Sequence, residues 1–157
     1  MSDLLSFSQP QFQILGQVVL AALLGALIGL DREAADKPAG LRTHVLVASA
    51  STMLVALGNI AAAQFTVNLG EAIIRTDPIR IIEAVVTGVS FLGAGTIIRY
   101  RNKQKVEGLT TAASILVAAA IGIGVALSQI VLAVGVTIIV LIALRGIKIL
   151  EVWLDLE

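Results

Sequence analysis

The chain has 157 residues, of which 57% are hydrophobic and 14% charged, and its mean hydropathy is +0.97. Because a soluble domain usually has about a quarter of its residues charged, this composition predicts a small all-α membrane protein. The charges cancel to zero, which favours neither nucleic acid nor an acidic substrate. The lack of cysteine and the single histidine exclude disulfide scaffolds, thiolate metal sites and multi-histidine metal sites.

Five apolar stretches approach the length of about 20 residues that a transmembrane helix needs. In chain order they cover residues 12–30, 45–65, 79–98, 109–127 and 130–150. We therefore expect one transmembrane domain over residues 1–157, with five transmembrane helices and no soluble C-terminal domain.

The basic residues predict the orientation of these helices. With five spans, one side of the membrane carries nine of the eleven basic residues, and the other carries only Arg75 and Arg80. The positive-inside rule then places the N-terminus outside and the C-terminus in the cytoplasm of a bacterial inner membrane. The nine residues on the predicted cytoplasmic side are Arg32, Lys37, Arg42, Arg99, Arg101, Lys103, Lys105, Arg145 and Lys148.

An internal repeat relates the first two helices to the next two. A shift of 68 residues places Leu24-Gly25-Ala26 on Leu92-Gly93-Ala94, and Gly40-Leu41 on Gly108-Leu109. Two units that enter the membrane in the same direction form parallel repeats about an axis along the membrane normal. Helix five has no counterpart and is rich in Val, Ile and Leu, so we expect it to be peripheral or at a subunit contact.

Polar and small residues form one stripe on helix three and another on helix four. The stripes are Arg80, Glu83, Thr87, Ser90 and Ala94 on helix three, and Thr110, Ser114, Ala118 and Gly122 on helix four. We expect them to face one another, because lipid does not tolerate a residue such as Glu83.

The start of helix three has two interpretations. Asp77 suits an N-cap, and Asp77, Arg80 and Glu83 are spaced three apart, as in a local salt bridge near the outer surface. Alternatively, Glu83 lies about one turn inside the membrane and is an ion or proton ligand. The first interpretation is the simpler one.

The loop after helix one is dense in titratable groups. Asp31 and Glu33 are candidate ligands for a cation such as Mg²⁺, and Arg42 at the start of helix two is a candidate phosphate ligand. The simpler alternative is that Asp31, Arg32 and Glu33 pair with one another and that Arg42 pairs with a neighbour. His44 is a candidate pH sensor, although a single histidine at a helix start is more often structural.

Three ordered motifs resemble the MgtC/SapB family of bacterial inner-membrane proteins. They are GLDREAADKPAGLRTHVLV (29–47), DPIRIIEAVVTGVSFLGAGTIIR (77–99) and VEGLTTAASILVAAAIGIG (106–124). The resemblance implies a stress-adaptation protein, active under magnesium limitation, acid or phosphate stress and associated with virulence through survival in host cells. It also implies restraint of the proton-translocating ATP synthase as a mode of action.

The family motifs transfer to this chain residue by residue, with two departures. Many members have Glu in place of Asp31, and some have Asn in place of Thr110. Longer members also carry a soluble C-terminal domain. The residues that match the motifs are Asp31, Arg32, Glu33, Arg42, Thr43, His44, Asp77, Arg80, Glu83, Gly93, Gly95, Gly108, Leu109, Thr110 and Thr111.

The sequence favours a non-enzymatic regulator of another membrane complex, acting as a homo-oligomer, with a dimer preferred. The alternative is a transporter for magnesium, protons or another small ion, which would need an oligomer to provide a pathway. An enzyme is disfavoured, because His44 at the membrane edge and Ser51 two turns away form no buried nucleophile and base. The expected functional surface is a cytoplasmic ring of Asp31, Arg32, Glu33, Arg42 and His44.

Overall fold

The computed structural model describes residues 2–69, 78–99 and 106–153, with side chains for residues 11–64, 79–97 and 106–146. These ranges contain five helices, which confirms the predicted all-α class. The helices are α1 (Ser2–Ala34), α2 (Leu41–Leu69), α3 (Pro78–Gly95), α4 (Leu109–Ala126) and α5 (Ile130–Trp153). Between α3 and α4, the two-residue strands β1 (Ile98–Arg99) and β2 (Val106–Glu107) pair antiparallel.

Small residues join α1 to α2 in the first hairpin. A Cβ atom at Gly25 would lie 2.6 Å from the His44 carbonyl oxygen, and one at Gly29 would lie 2.7 Å from Leu41 Cα. Both glycines therefore lie where the two backbones touch. Close backbone approach is the main source of helix association when the surroundings are apolar.

The second hairpin repeats the first with the predicted shift of 68 residues. Gly93 on α3 faces Ala112 on α4, as Gly25 faces His44. The Ala112 N–H donates to the Gly108 oxygen at 2.8 Å, at the position where the His44 N–H donates to the Gly40 oxygen at 3.3 Å. The two parallel helical-hairpin repeats are thus confirmed in the geometry of equivalent residues.

The helices α2 and α4 cross at the centre of the bundle. A Cβ atom at Gly122 would overlap the Ala48 carbonyl oxygen, so only glycine allows this approach. Beside the contact, the buried Thr52 hydroxyl lies 2.8 Å from the Gly122 oxygen and 3.0 Å from the Ala48 oxygen. The single Thr52 hydroxyl proton is therefore shared between a carbonyl oxygen of each helix at their closest point.

Helix α5 lies at the edge, as predicted, against α1 and α4. Its residues Ala133 and Thr137 are buried, whereas Val131 is 89% exposed on the opposite side. A tight turn joins it to α4, with Ser128 at φ 60° and the Gln129 N–H donating to the Gly124 oxygen at 2.8 Å.

The end of the third helix differs from the prediction. Helix α3 ends at Gly95 instead of continuing to Ile98. The Thr96 hydroxyl donates to the Gly93 oxygen at 2.8 Å, which caps the last turn. The β-branched run that follows favours extended backbone, and Ile98 pairs with Glu107. A short hairpin therefore forms the second tip.

Three of the described helices contain apolar segments long enough to cross a bilayer: Gln11–Ala34, Leu41–Gln64 and Leu109–Ala126. Helix α5 adds a shorter apolar segment, Ile130–Gly146. Many large aliphatic side chains on the outside are exposed, including Leu23, Leu46 and Ile139, as expected of a surface that meets lipid. The chain is a membrane protein, and its number of passes and its orientation stay predictions.

Candidate functional site

The first tip of the bundle is built around Glu33. Its Oε2 accepts a hydrogen bond from the Leu41 N–H at 2.8 Å, so the carboxylate binds the N-terminus of α2, where the helix dipole favours negative charge. Asp36 turns the chain with a left-handed φ of 53°. The predicted phosphate site at the start of α2 is therefore occupied in part by a carboxylate of the same chain, beside the exposed Arg42.

Asp31 is the centre of a charge cluster that joins α1 to α5. Its Oδ1 lies 2.7 Å from Arg145 Nε, and its Oδ2 lies 3.6 Å from Arg32 Nη2. The side chain of Arg32 is only 6% exposed, whereas that of Arg145 is 69% exposed. Arg32 Nε is the one buried side-chain polar atom without a hydrogen-bond partner within the described part of the chain. Asp31 is therefore the main countercharge of a buried guanidinium.

The sequence analysis counted Arg145 only among the basic residues of the predicted cytoplasmic side, and it missed the pair of Arg145 with Asp31. The two residues are 114 positions apart. One sequence feature could have predicted this pair. An arginine interrupts one apolar helix, an aspartate ends another, and both residues are expected on the same side of the membrane.

His44 is buried and connects the two hairpins. Its Nδ1 lies 2.8 Å from the Gly40 oxygen, and its Nε2 lies 3.0 Å from Ser114 Oγ on α4. A carbonyl only accepts, so Nδ1 carries a proton and donates. In the neutral ring, Nε2 is an acceptor, and the single Ser114 hydroxyl proton is shared between Nε2 and the Thr111 oxygen, which lies 2.8 Å from Oγ. Both side chains are at most 3% exposed, which favours a structural role for His44.

The second tip depends on Gly108. Its φ of 91° is left-handed, and a Cβ atom there would overlap the Thr96 oxygen. Gly108 therefore lets the β1–β2 hairpin close onto the start of α4. The matched motif residue Thr111 is buried next to it, while Thr110 is exposed.

The two tips lie at the same end of the bundle and enclose one cavity. The cavity has a volume of about 600 Å³. Its lining is a mixture of apolar and polar groups and includes charges of both signs. The first tip contributes Asp36, Lys37 and Pro38, and the second contributes Thr96, Val106, Glu107, Gly108, Leu109, Thr110 and Thr111.

The predicted ring is thus divided between interior and surface. Asp31, Arg32 and His44 are buried and hold helices together, which corrects the expectation that all five residues form one exposed surface. Glu33 and Arg42 are exposed. Among the described residues at this end, we define the tip surface as the exposed Glu33 and Arg42 together with the cavity between the tips.

The carboxylates proposed as magnesium ligands do not fit a shared metal site. Asp31 faces two guanidinium groups, and Glu33 binds the N-terminus of α2. Glu83 lies on α3, more than two turns from the end that carries the second tip. Among the described residues, no three His, Cys, Asp or Glu side chains come together as ligands.

Helix α3 does not turn its polar stripe toward α4, so that expectation was wrong. Its apolar residues Val85 and Val89 are buried in a core cluster with residues of α2 and α4, whereas the whole predicted stripe is exposed. The stripe of α4 packs against α2 instead, through Ser114 and Gly122. Packing favours the apolar face of α3, because valine fills the α3–α4 contact without burying a charge. The exposed residues are Arg80, Glu83, Thr87, Ser90 and Ala94.

Several predicted residues lie elsewhere. Gly93 is buried against α4, Gly95 is exposed at the end of α3, and Thr43 is half-buried. Asp77, and with it the predicted N-cap, lies outside the described residues, as do Arg101, Lys103 and Lys105 of the basic loop.

Comparison with known proteins identifies a family that this chain matches. The model of the MgtC family matches residues 18–153. An uncharacterized Haemophilus influenzae protein is 36% identical over 147 residues, covering 94% of this chain and 60% of that protein. Protein SrpB of Synechococcus elongatus is 40% identical over 153 residues, covering 90% and 80%.

A third relative has a name that refers to function. The putative magnesium transporter YhiD of Escherichia coli is 44% identical over 106 residues, which are 68% of this chain and 47% of that protein. The chain thus spans about half the length of YhiD, and 60% of the Haemophilus influenzae relative. No solved structure matches it.

Proposed function

Since the chain belongs to the MgtC family, whose members include magnesium- and stress-linked membrane proteins, we propose that it is a non-enzymatic regulator of another complex in the bacterial inner membrane. It supports growth when magnesium is scarce or under related stress. The observation that carries the proposal is the tip surface, where two repeat-related tips form one polar end with a cavity of about 600 Å³.

The chemistry of the tip surface supports recognition rather than catalysis. Its exposed groups, Lys37, Arg42, Glu33 and Thr110, offer donors and acceptors of both signs. The one serine–histidine pair that the described residues contain, Ser114 and His44, is buried between helices and out of reach of a substrate. Exposed charges of both signs suit electrostatic pairing with a partner.

The partner that the family resemblance suggests is the proton-translocating ATP synthase. In this proposal, the tip surface contacts a membrane subunit of that enzyme on the cytoplasmic side and lowers its proton-coupled activity. The predicted cytoplasmic position of both tips places them on the correct side for such a contact.

We expect Arg42→Ala to weaken regulation about tenfold while insertion and thermal stability stay unchanged. Arg42 is exposed, so its loss leaves the fold intact, but a charge-assisted contact of about 1.5 kcal/mol corresponds to roughly tenfold weaker partner binding. The measurements are complementation of a deletion strain at low magnesium, and ATP-driven proton pumping in inverted vesicles with and without the protein.

Two controls accompany this variant. Arg42→Lys keeps the charge and is expected to retain part of the activity. Gln129→Ala alters an exposed polar residue at the opposite end, beside the α4–α5 turn, and is expected to behave as wild type. Normal complementation and normal pump inhibition by Arg42→Ala would exclude the tip surface as the regulatory surface.

Transport of Mg²⁺ is the second candidate function, favoured by the name of the YhiD relative and by the exposed carboxylate of Glu83. We expect liposomes that contain the pure protein to take up Mg²⁺ or protons no faster than protein-free liposomes. Flux well above this background that disappears in Glu83→Gln would replace the regulator by a transporter. Absence of flux, with co-purification of a membrane complex, supports regulation.

A further inference from the structure

The free face of α3 is polar where lipid contact would require apolar residues. Arg80, Glu83, Thr87 and Ser90 are all exposed. Taking 100° per residue, the centre of this stripe lies about 180° from the buried Val85 and about 140° from the buried Val89. Helix α3 is not one of the three described helices that are apolar enough to cross a bilayer, but it packs along α4, which is one of them, so its free face lies at the level of that helix.

The internal repeat provides a direct comparison, because α1 occupies the position equivalent to α3. A shift of 68 residues places Arg80, Glu83 and Thr87 on Phe12, Leu15 and Val19. The equivalent residues of α1 are 70%, 57% and 51% exposed, and all three are apolar. The fold therefore does not require polar residues at these positions. The free face of α3 is exposed like the equivalent face of α1, but its side chains are polar instead of apolar.

The charges on this face complement a second copy of themselves. Arg80 and Glu83 lie one turn apart and have opposite signs, and neither meets an opposite charge within the described parts of the chain. A two-fold axis brings identical surfaces together, so that residue i of one copy contacts residue j of the other, and the reverse. Two parallel α3 helices about such an axis would form two reciprocal Arg–Glu pairs.

The neighbouring residues allow close contact. Ser90 and Ala94 on the stripe are small and exposed, so they allow another helix to approach. Phe91, 81% exposed, adds apolar area beside the stripe. Small residues next to polar groups are the composition typical of helix contacts inside membranes.

We propose that α3 packs against α3 of a second copy of this chain across a two-fold axis parallel to the bundle, with Arg80 of each copy pairing with Glu83 of the other. This contact does not depend on the regulatory function proposed above. It covers the polar stripe that α1 lacks, and it places the tip surfaces of both copies at the same end of the dimer.

Cysteine cross-linking in native membranes tests the contact directly, because the chain has no cysteine of its own. We expect oxidation to convert most of Thr87→Cys into a species of twice the 16.3 kDa chain. Val19→Cys is the matched control, since it is the repeat-equivalent residue on α1, and it should stay monomeric. Equal cross-linking of both variants, no cross-linking of Thr87→Cys, or its capture by a different protein would each overturn the proposal.

Charge exchange tests the pairing. Two differently tagged copies should co-purify, and Glu83→Arg in both should lower the recovered fraction about fivefold. The double variant Arg80→Glu with Glu83→Arg restores opposite charges and should restore co-purification. A purely structural role of either residue would not predict this rescue. Failure of the double variant, when it is inserted at wild-type level, would contradict the pairing. If Glu83→Arg does not insert, the cysteine experiment still decides whether α3 meets α3.

Discussion

Replacing Gly122 by valine is expected to destabilise the folded protein strongly. A side chain at this position overlaps the Ala48 oxygen and lies 3.1 Å from Ser51 Cβ. The two central helices must then separate, which also lengthens the bond from the Thr52 hydroxyl to the Gly122 oxygen. We expect a loss of about 3 kcal/mol and a melting temperature lower by roughly 10 °C, measured on protein in detergent.

The control for this prediction is Gly135→Val on α5, because a Cβ atom at Gly135 would meet nothing within 4 Å. Both variants place a β-branched residue in an apolar helix, so the intrinsic helix preference cancels between them. The difference in melting temperature then measures the contact between α2 and α4. Equal losses in the two variants would show that this contact is not the tight point of the bundle.

The hairpins could be predicted from sequence because their signals are local. Helices that touch at their backbones need small residues at the contact. Gly25 is such a point, and its repeat equivalent Gly93 lies in ordinary van der Waals contact with Ala112. The equivalent loops carry Gly40 and Gly108 at the same shift. Repeated spacing therefore indicated the architecture of α1 to α4, and the absence of a counterpart indicated that α5 is peripheral.

The same reasoning could not predict the direction in which the polar face of α3 points. Helical periodicity shows that Glu83 and Thr87 share a face, but it does not show which surface that face meets. The expectation that they turn inward rested on the cost of a carboxylate in lipid, and it treated the single chain as complete. The structure buries Val85 instead, and the proposed contact with a second copy would cover Glu83 outside the single chain.

Contacts between distant residues were the second gap. The bond from Arg145 to Asp31 and the pair of His44 with Ser114 join residues 114 and 70 positions apart. Composition showed that each of these groups needs a partner. Only the packing of α4 and α5 against the first hairpin determines which partner each one finds.

In the charge cluster at Asp31, we expect the two ion pairs to contribute very differently to the free energy of unfolding. In Asp31→Asn, the guanidinium of Arg32, 6% exposed, keeps its charge but loses its countercharge. Removing one member of a buried pair typically costs about 3 kcal/mol or more. Arg145 is 69% exposed, so Arg145→Gln is expected to cost less than about 1 kcal/mol. Unfolding in detergent, followed by circular dichroism, measures both losses.

A second substitution separates the charge from the shape of the site. If the uncompensated guanidinium causes the loss in Asp31→Asn, then Arg32→Met in the same chain removes that charge and should recover most of the stability, because a long apolar side chain fills the same volume. Failure to recover would mean that Asp31 acts mainly through Arg145. In that case Arg145→Gln alone should lose as much stability as Asp31→Asn. Equal losses would contradict the proposal that the buried charge of Arg32 causes the effect, because Arg145 is largely exposed.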